Sequence, residues 1–344
     1  MMKKKEKSSV TIQTVAKLAN VSHTTVSRAL NGSSLVKPQT RQKIEEIAES
    51  VGYVPNYNAR RLVTHRSYNI GIFFSNLDQG TSFSFLANTI EKMEETLSPK
   101  YTFSIGSVEN AATIGKMSQQ NYDGILIMSQ SDKDNDFIEA IHRENIPLVV
   151  LNRNLVASDI NNFAFDDELG EQLATEYAIR MGHRKFALIK GIESFESAKQ
   201  RTIGFQKALK NYGIFSEKVI YGQGNYRPES GNHEMRRILS SVNVPTCVIC
   251  ENDDMAIGAI NACIDMGYRV PEDISVIGFD DMPYSKYLIP ELTTVRKPTS
   301  ELIKKGVERL FKLIQDEDQT IVKEVLPPEI IIRSSVAQLN TAQK

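Results

Sequence analysis

Apolar and polar positions along the chain follow two regimes. Up to about residue 52 the apolar residues recur three or four apart, which is helical spacing; from Ile70 onward short apolar runs alternate with longer amphipathic stretches. In the first regime Ile12, Val15, Ala16 and Ala19 share one helical face. Thr11 stands where its hydroxyl could accept a bond from an amide of the first turn. Asn20-Val21 makes a turn, and Ser22 is placed to cap a second helix running to Leu30. At roughly 100° per residue, His23, Thr24, Ser27 and Arg28 fall on one side of that helix and Val26, Ala29 and Leu30 on the other. One side packs; the other offers an imidazole, hydroxyls and a cation, which is the layout of a recognition helix reading base edges in the major groove. An ordinary helical hairpin with a solvated polar face has the same spacing. A third helix is predicted from Pro38, suited to a first helical position. It turns Ile44, Ile47, Ala48 and Val51 inward and ends at Gly52, a C′ residue. Residues 53–62 form a short, basic, weakly helical segment.

In the second regime the apolar runs predict strands at 70–74, 102–108, 125–128, 148–151, 186–190, 248–250 and 274–279. Between them amphipathic patterns predict helices at 85–97, 114–120, 137–144, 169–181, 201–212, 229–239, 255–266 and 302–315. Alternation of this kind with Val/Ile-rich strands means parallel sheets with helices on both faces. Ligands in such sheets bind beyond the carboxyl ends of the strands. The polar residues that follow strands are therefore candidates: Ser75, Asn152-Arg153, Glu251-Asn252-Asp253 and Asp280-Asp281, with Arg201 opening a helix after the 191–197 loop. Carboxylates, amides and a guanidinium converging in a cleft satisfy several hydroxyls at once, which suits a sugar. Helix caps and surface charges use the same residue types, and Asp253 reads as a cap for the helix running into Met255.

These blocks, Val15-Ala16, Val21-Ser22, Thr25-Val26-Ser27-Arg28, Asn31-Gly32, Gly52-Tyr53-Val54-Pro55-Asn56 and Ala59-Arg60-Arg61-Leu62, resemble the lactose/galactose repressor (LacI/GalR) family of bacterial transcription regulators in residue and spacing. The resemblance runs more loosely over nearly the whole chain. It implies a helix-turn-helix three-helix domain at 1–55, a hinge helix or linker at 56–66, and a domain at 67–344 of two similar α/β lobes with a periplasmic-binding-protein-like, mainly parallel-sheet fold. That last domain would bind a small-molecule effector between its lobes and form a homodimer. The family's DNA-contacting pattern falls on Thr11, Ser22, His23, Thr24, Ser27, Arg28 and Asn31. The linker pattern adds Asn56, with Ala59 packed closely and Leu62 wedged into the minor groove of double-stranded operator DNA. Arg201, Asn252 and Asp280 match effector-contacting positions, Ser75 a residue beside the ligand, and Phe165 an aromatic lining the pocket. Asn152 and Lys297 complete the expected set. Met128 stands where some sugar-responsive members carry a polar residue, and Lys297 where several carry Gln.

Composition sharpens this picture. The formal net charge of −1 hides a division: residues 1–66 hold 12 Lys/Arg and 4 Asp/Glu, a net of +8, and the remainder carries −9. A basic head on an acidic body is the electrostatic footprint of a nucleic-acid-binding end attached to something else. Met1-Met2-Lys3-Lys4-Lys5 is followed by no apolar stretch, so a basic arm and cytoplasmic residence are expected, and no run reaches the ~20 apolar residues of a membrane span. Cys247, Cys250 and Cys263 are an odd, sparse set, and strand alternation sends Cys247 and Cys250 to opposite faces. The five histidines show no metal-ligand spacing, and His183, at a predicted helix end, suits a dipole role. Phosphate-loop, dinucleotide, zinc-protease and nucleophile-elbow motifs do not occur, which argues against an enzyme and against a metal or cofactor. A free sugar receptor would have no use for the basic head. The tail at 334–344 lacks a leucine heptad, so a dimer rather than a zipper-made tetramer is expected.

Overall fold

The protein is described by a computed structural model covering residues 10–30, 33, 35–53, 66–77, 81–109, 118, 120–155, 159–215 and 218–339. The chain divides into two compact units, 1–66 and 67–344. Unit one holds three helices: α1 (Ile12–Ala19), α2 (His23–Leu30) and α3 (Pro38–Ser50). Their apolar faces close on a core of Val15, Ala16, Ala19, Val26, Ala29, Val36, Ile44 and Ala48. Asn20 makes the turn by entering the left-handed region at φ +56°, which Asn tolerates better than most residues. Ser22 Oγ accepts from the Thr25 amide at 3.0 Å and caps α2. Thr11 and Thr14 form a capping box at the start of α1. The Thr11 amide donates to Thr14 Oγ1 at 3.3 Å, and the two hydroxyls pair at 3.3 Å.

Unit two contains two six-stranded sheets of matching order. The first lobe is built from β1 (Asn69–Phe74), β2 (Thr102–Ser107), β3 (Gly124–Met128), β4 (Leu148–Asn152), β5 (Asn161–Phe165) and, returning late, β11 (Lys323–Leu326). Its order is β11-β5-β4-β3-β1-β2, every pairing parallel. The second is built from β6 (Phe186–Lys190), β7 (Ile220–Gln223), β8 (Cys247–Cys250), β9 (Ser275–Asp280), β10 (Thr293–Arg296) and β12 (Glu329–Ile331). Its order is β12-β10-β9-β8-β6-β7, parallel except for the antiparallel β10–β12 pair. The helices between strands are α4 (Phe83–Thr96), α5 (Asn135–Arg143), α6 (Asp167–Arg180), α7 (Glu196–Asn211), α8 (Pro228–Leu239), α9 (Asp253–Asp265) and α10 (Thr299–Ile314). The helix predicted at 114–120 falls almost wholly outside the described residues.

The seven predicted strands all form, because β3, β4 and β8 are buried along their whole length and read as continuous apolar runs. Five more strands form that apolar runs did not reveal. The least apparent is β5, Asn161-Asn162-Phe163-Ala164-Phe165, whose two buried amides are satisfied by distant partners. Asn162 Nδ2 donates to the Val150 and Arg153 carbonyls, and Asn161 Oδ1 accepts from Arg309 Nε at 2.7 Å. In β10 the Thr294 hydroxyl donates to Asp253 Oδ1 at 2.5 Å.

The chain crosses between lobes three times: after β5 near Asp166, after β10 at Lys297-Pro298, and between β11 and β12 at Pro327-Pro328. Carboxyl ends of both sheets therefore face a shared cleft beside these crossovers. In the second lobe α8 and α9 approach so closely that a Cβ on Gly231 would lie 2.1 Å from the Met255 carbonyl oxygen. One on Gly258 would lie 1.9 Å from that of Pro228. Cys247 and Cys250 point into different cores on the two faces of their sheet, and all three thiols are buried, which raises their pKa values. His183 does not act on a helix dipole. It is buried, with Nδ1 3.0 Å from Thr246 Oγ1 and Nε2 3.1 Å from the Ala337 carbonyl, and burial lowers its pKa to about 4, leaving it neutral.

Candidate ligand cleft and DNA-reading helix

The cleft between the lobes is lined by Ser82, Phe85, Gln130 and Asn152 from the first lobe. Ser197, Arg201, Tyr226, Asn252 and Asp280 line it from the second, with Lys297 on a crossover. The space among these residues is about 360 Å³, solvent at its mouth included. Three of the lining residues, Asn152 (φ +76°), Tyr226 (φ +67°) and Asp280 (φ +116°), hold positive φ. Backbone strain of that kind costs roughly 1–3 kcal/mol each and persists only where the surroundings enforce it. Here it lies at or just past the ends of β4, β7 and β9, so that these side chains reach the cleft.

Arg201 is the electrostatic centre. Its Nε and Nη2 donate to Asp167 Oδ1 at 2.9 and 2.7 Å, and Nη1 donates to the Glu251 carbonyl. Its guanidinium lies 3.8 Å from the Phe279 ring centroid. Burial alone would lower its pKa, but Asp167, Asp280 and Glu251 raise it above the ordinary value, so the cation is secure. Arg201 lies in the second turn of α7, which begins at Glu196, and does not open the helix as expected. The acids behind it are crowded. Burial, then the neighbouring Glu251, pushes Glu171 well above the usual carboxylate range, and neither of its oxygens meets a partner among the described residues. Burial raises Glu251 to about 7 although it accepts from the Gly191 amide and the Thr202 hydroxyl.

Asp280 and Lys297 form the second buried pair, Nζ to Oδ1 at 2.8 Å. The contact is close but poorly aligned for a hydrogen bond, so Oδ1 remains an acceptor without an aligned donor. The Lys297 ammonium also lies 4.8 Å from the Phe85 centroid and 5.1 Å from that of Phe165. Phe165, expected to line the pocket, is not among the lining residues; its ring meets the Lys297 ammonium instead. Asn252, not Asp253, caps α9: its Oδ1 accepts from the Met255 amide at 2.9 Å and its Nδ2 donates to the Tyr226 carbonyl at 3.0 Å. Asp253 instead accepts from the Met282 amide and from the Ser285 and Thr294 hydroxyls; burial, with Asp280 close by, raises it to about 7.

Ser75 is not among the lining residues. Its Oγ donates to Asp134 Oδ2 at 2.5 Å and accepts from the Gln130 amide at 2.8 Å, so it fixes Gln130, which does line the cleft. The lobes touch elsewhere too: the Glu196 amide donates to the Gln130 carbonyl and Ser84 Oγ donates to Asp254 Oδ1, both at 2.9 Å. Ser82, Phe85, Gln130, Ser197 and Tyr226 were missed in the sequence. The first two offered a signal, a Ser three residues before a Phe at the start of an amphipathic helix; indeed Ser82 Oγ caps α4 through the Phe85 amide.

In unit one, His23, Thr24 and Arg28 are exposed on α2, Ser27 is half-buried, and Val26 and Ala29 are buried. Thr11 and Ser22 are exposed at the starts of α1 and α2. Asn31, Asn56, Ala59 and Leu62 lie outside the described residues. Among the described residues no His/Cys/Asp/Glu group is arranged to hold a metal ion, and no helix is long and apolar enough to cross a membrane.

Residues 11–56 match the family described as bacterial regulatory proteins, lacI family, and residues 175–336 match a periplasmic binding protein-like domain. The chain is 45% identical over 332 residues to the probable HTH-type transcriptional repressor ExuR of Bacillus subtilis (strain 168), covering 96% of this chain and 100% of that one. It is 36% identical to the HTH-type transcriptional repressor PurR of Erwinia tasmaniensis, covering 95% and 97%. Among solved structures, the lac repressor dimer bound to operator and the anti-inducer ONPF superposes with a TM-score of 0.78 at 30% identity, covering 95% and 99%. The transcriptional regulator CelR–cellobiose complex does so at 0.70 and 28%, again over 95% and 99%. The chain belongs to the lacI family of bacterial regulatory proteins and is a DNA-binding transcriptional repressor.

Proposed function

We propose that this repressor is switched by a sugar bound in the cleft, and that residues 1–55 read operator DNA, 56–66 form the hinge, and 67–344 bind the effector and dimerise. The observation that carries the reading is the cleft itself. Asn152, Arg201, Asn252, Asp280 and Lys297 arrive there from five separate stretches of chain, with Asp280 paired to the Lys297 ammonium but holding no aligned hydrogen-bond donor at Oδ1. A sugar hydroxyl both donates and accepts, so a ring with several of them can bridge Asp280 to Arg201. Lys297 and the other crossover residues lie where the lobes hinge, so a ligand held by both lobes biases their relative closure. In a two-fold homodimer such closure changes how the two DNA heads approach their half-sites, and so changes operator affinity. Relatives support the class of ligand: a CelR complex holds cellobiose, and the lac repressor has been solved with both operator and ONPF. Operator binding also requires residence in the compartment that holds DNA, the cytoplasm.

The test is calorimetric titration of the purified full chain with a sugar panel, followed by operator binding with and without the sugar that binds. Asp280→Ala is expected to lose well over tenfold in sugar affinity, about 1.4 kcal/mol or more, and to retain operator binding. Unchanged sugar affinity in Asp280→Ala would place the ligand elsewhere.

A further inference from the structure

We propose that Asp254 is a positioning residue that latches the two lobes together beside the cleft; this rests on the reading of lobe closure as the switch. Asp253 and Asp254 both stand in the first turn of α9, yet their carboxylates serve different lobes. Asp253 is engaged inside its own lobe by the Met282 amide and the Ser285 and Thr294 hydroxyls. Asp254 reaches across the gap instead. Its Oδ1 accepts from Ser84 Oγ of the first lobe at 2.9 Å and from the Tyr284 hydroxyl of its own lobe at 2.7 Å. Tyr284 thus braces the carboxylate that Ser84 meets. None of the three lines the cleft, although their neighbours Ser82, Phe85 and Asn252 do. The bond is therefore made beside the ligand space and between protein groups alone.

Electrostatics favours this placement. Ser84 is in the first turn of α4 and Asp254 in the first turn of α9, so their bond brings two helix N-termini together. Each end carries about half a positive charge, and two such ends repel. The buried Asp254 carboxylate sits where they meet and is attracted to both. A hydrogen bond to a carboxylate is also roughly twice as strong as one between neutral groups. Two further contacts tie the lobes. The Glu196 amide donates to the Gln130 carbonyl at 2.9 Å, a neutral pair. The Arg227 guanidinium lies 5.3 Å from the centroid of Phe83, an exposed ring, so solvent weakens that attraction. Of these three ties, only Asp254 makes a charge-assisted hydrogen bond. The latch favours the same closed arrangement that a ligand held by both lobes favours. Breaking it shifts the lobes towards open, so a ligand that closes them binds more weakly without losing any contact of its own.

The experiment is hydrogen exchange of the full chain, resolved to single amides and read at Glu196, whose amide bonds across the lobes and exchanges when they part. Ser84→Ala and Asp254→Ala should each exchange this amide about tenfold or more faster than wild type. Amides of the buried strands β4 and β8 should keep their wild-type rates. The double variant should be no faster than Asp254→Ala, because both substitutions remove the same bond across the lobes. An unchanged Glu196 rate in either single variant overturns the latch, and so do effects that add in the double variant. Acceleration that spreads equally over β8 means that Asp254 only holds α9 in place, and the positioning role falls. No ligand enters the measurement, so its failure is separate from that of the sugar reading, which calorimetry tests.

Discussion

Arg201→Ala separates what holds the effector domain together from what holds the ligand. The substitution removes a guanidinium that gives two bonds to Asp167 and one to the Glu251 carbonyl and packs against Phe279. Asp167 is only 7% exposed, so its carboxylate is left buried without its partner, beside Glu171 and Glu251. Breaking one side of a buried pair costs about 3–5 kcal/mol. The lost ring contact, up to about 2 kcal/mol when desolvated, overlaps that figure and is not added to it. Against a domain stability on the order of 5–15 kcal/mol, the variant should fold but denature at much lower urea concentration. Its affinity for the sugar that binds wild type most tightly should fall more than tenfold. Adding Asp167→Asn removes the stranded charge and should recover part of the stability and none of the affinity. The assays are urea unfolding by circular dichroism and calorimetric titration, with operator binding as the control, because the three helices of the DNA head close on their own core. In a repressor released by its effector the variant represses permanently; in one that needs its effector, repression is lost. A wild-type urea midpoint would refute the buried-pair reasoning, and wild-type ligand affinity would remove Arg201 from the site.

Arg28→Ala should cost about 1–3 kcal/mol at a cognate guanine and little on random DNA; equal losses on both in a gel-shift titration would mean that Arg28 holds only phosphate. Wild-type operator affinity should fall steeply with salt, with a log–log slope of roughly −0.9 per phosphate neutralised, and a flat response would contradict the basic head as the DNA-binding surface. Gly258→Ala places a Cβ 1.9 Å from the Pro228 carbonyl, so α8 and α9 must separate. Overpacking of that kind costs about 1–3 kcal/mol, and an unchanged melting temperature would disprove the tight crossing. His183, whose pKa is lowered from 6.5 to about 4 by burial, stays neutral in the fold while the unfolded chain takes up a proton. The contribution is therefore intact above pH 6.5 and is lost as pH falls towards 4, about 3 kcal/mol in all. Glu251, raised to about 7, acts in the opposite sense, stabilising below pH 4.5 and losing its contribution as pH rises through 7. Unfolding free energies of wild type and His183→Gln, measured from pH 7.5 to 4, should converge at the acid end; parallel curves would count against a neutral buried His183.

By itself, the sequence determined what depends on neighbours in the chain. Helical spacing in α1 to α3, the Ser22 cap, the Asn20 turn and Gly52 at φ +64° are local, and each formed within a residue or two of expectation. Continuous apolar runs marked β3, β4 and β8 because a strand covered on both faces has no polar side to show. Polar residues just past strand ends marked Asn152, Asn252 and Asp280, since parallel topology sends those ends to one side. Tertiary structure decided what depends on partners far along the chain. The polar strand β5 is held by Arg309, 148 residues away, and no local pattern announces a buried Asn so satisfied. The roles of Ser75 and His183 turned on Asp134, Gln130, Thr246 and Ala337, which only the fold brings near. The cleft needed Gln130 and Tyr226 from two separate loops and Ser197 from the first turn of α7. Which segments meet follows from strand order and crossovers, a global property, and the same global packing raises the Glu171 carboxyl above its usual range and seats Lys297 against Asp280 in the cleft.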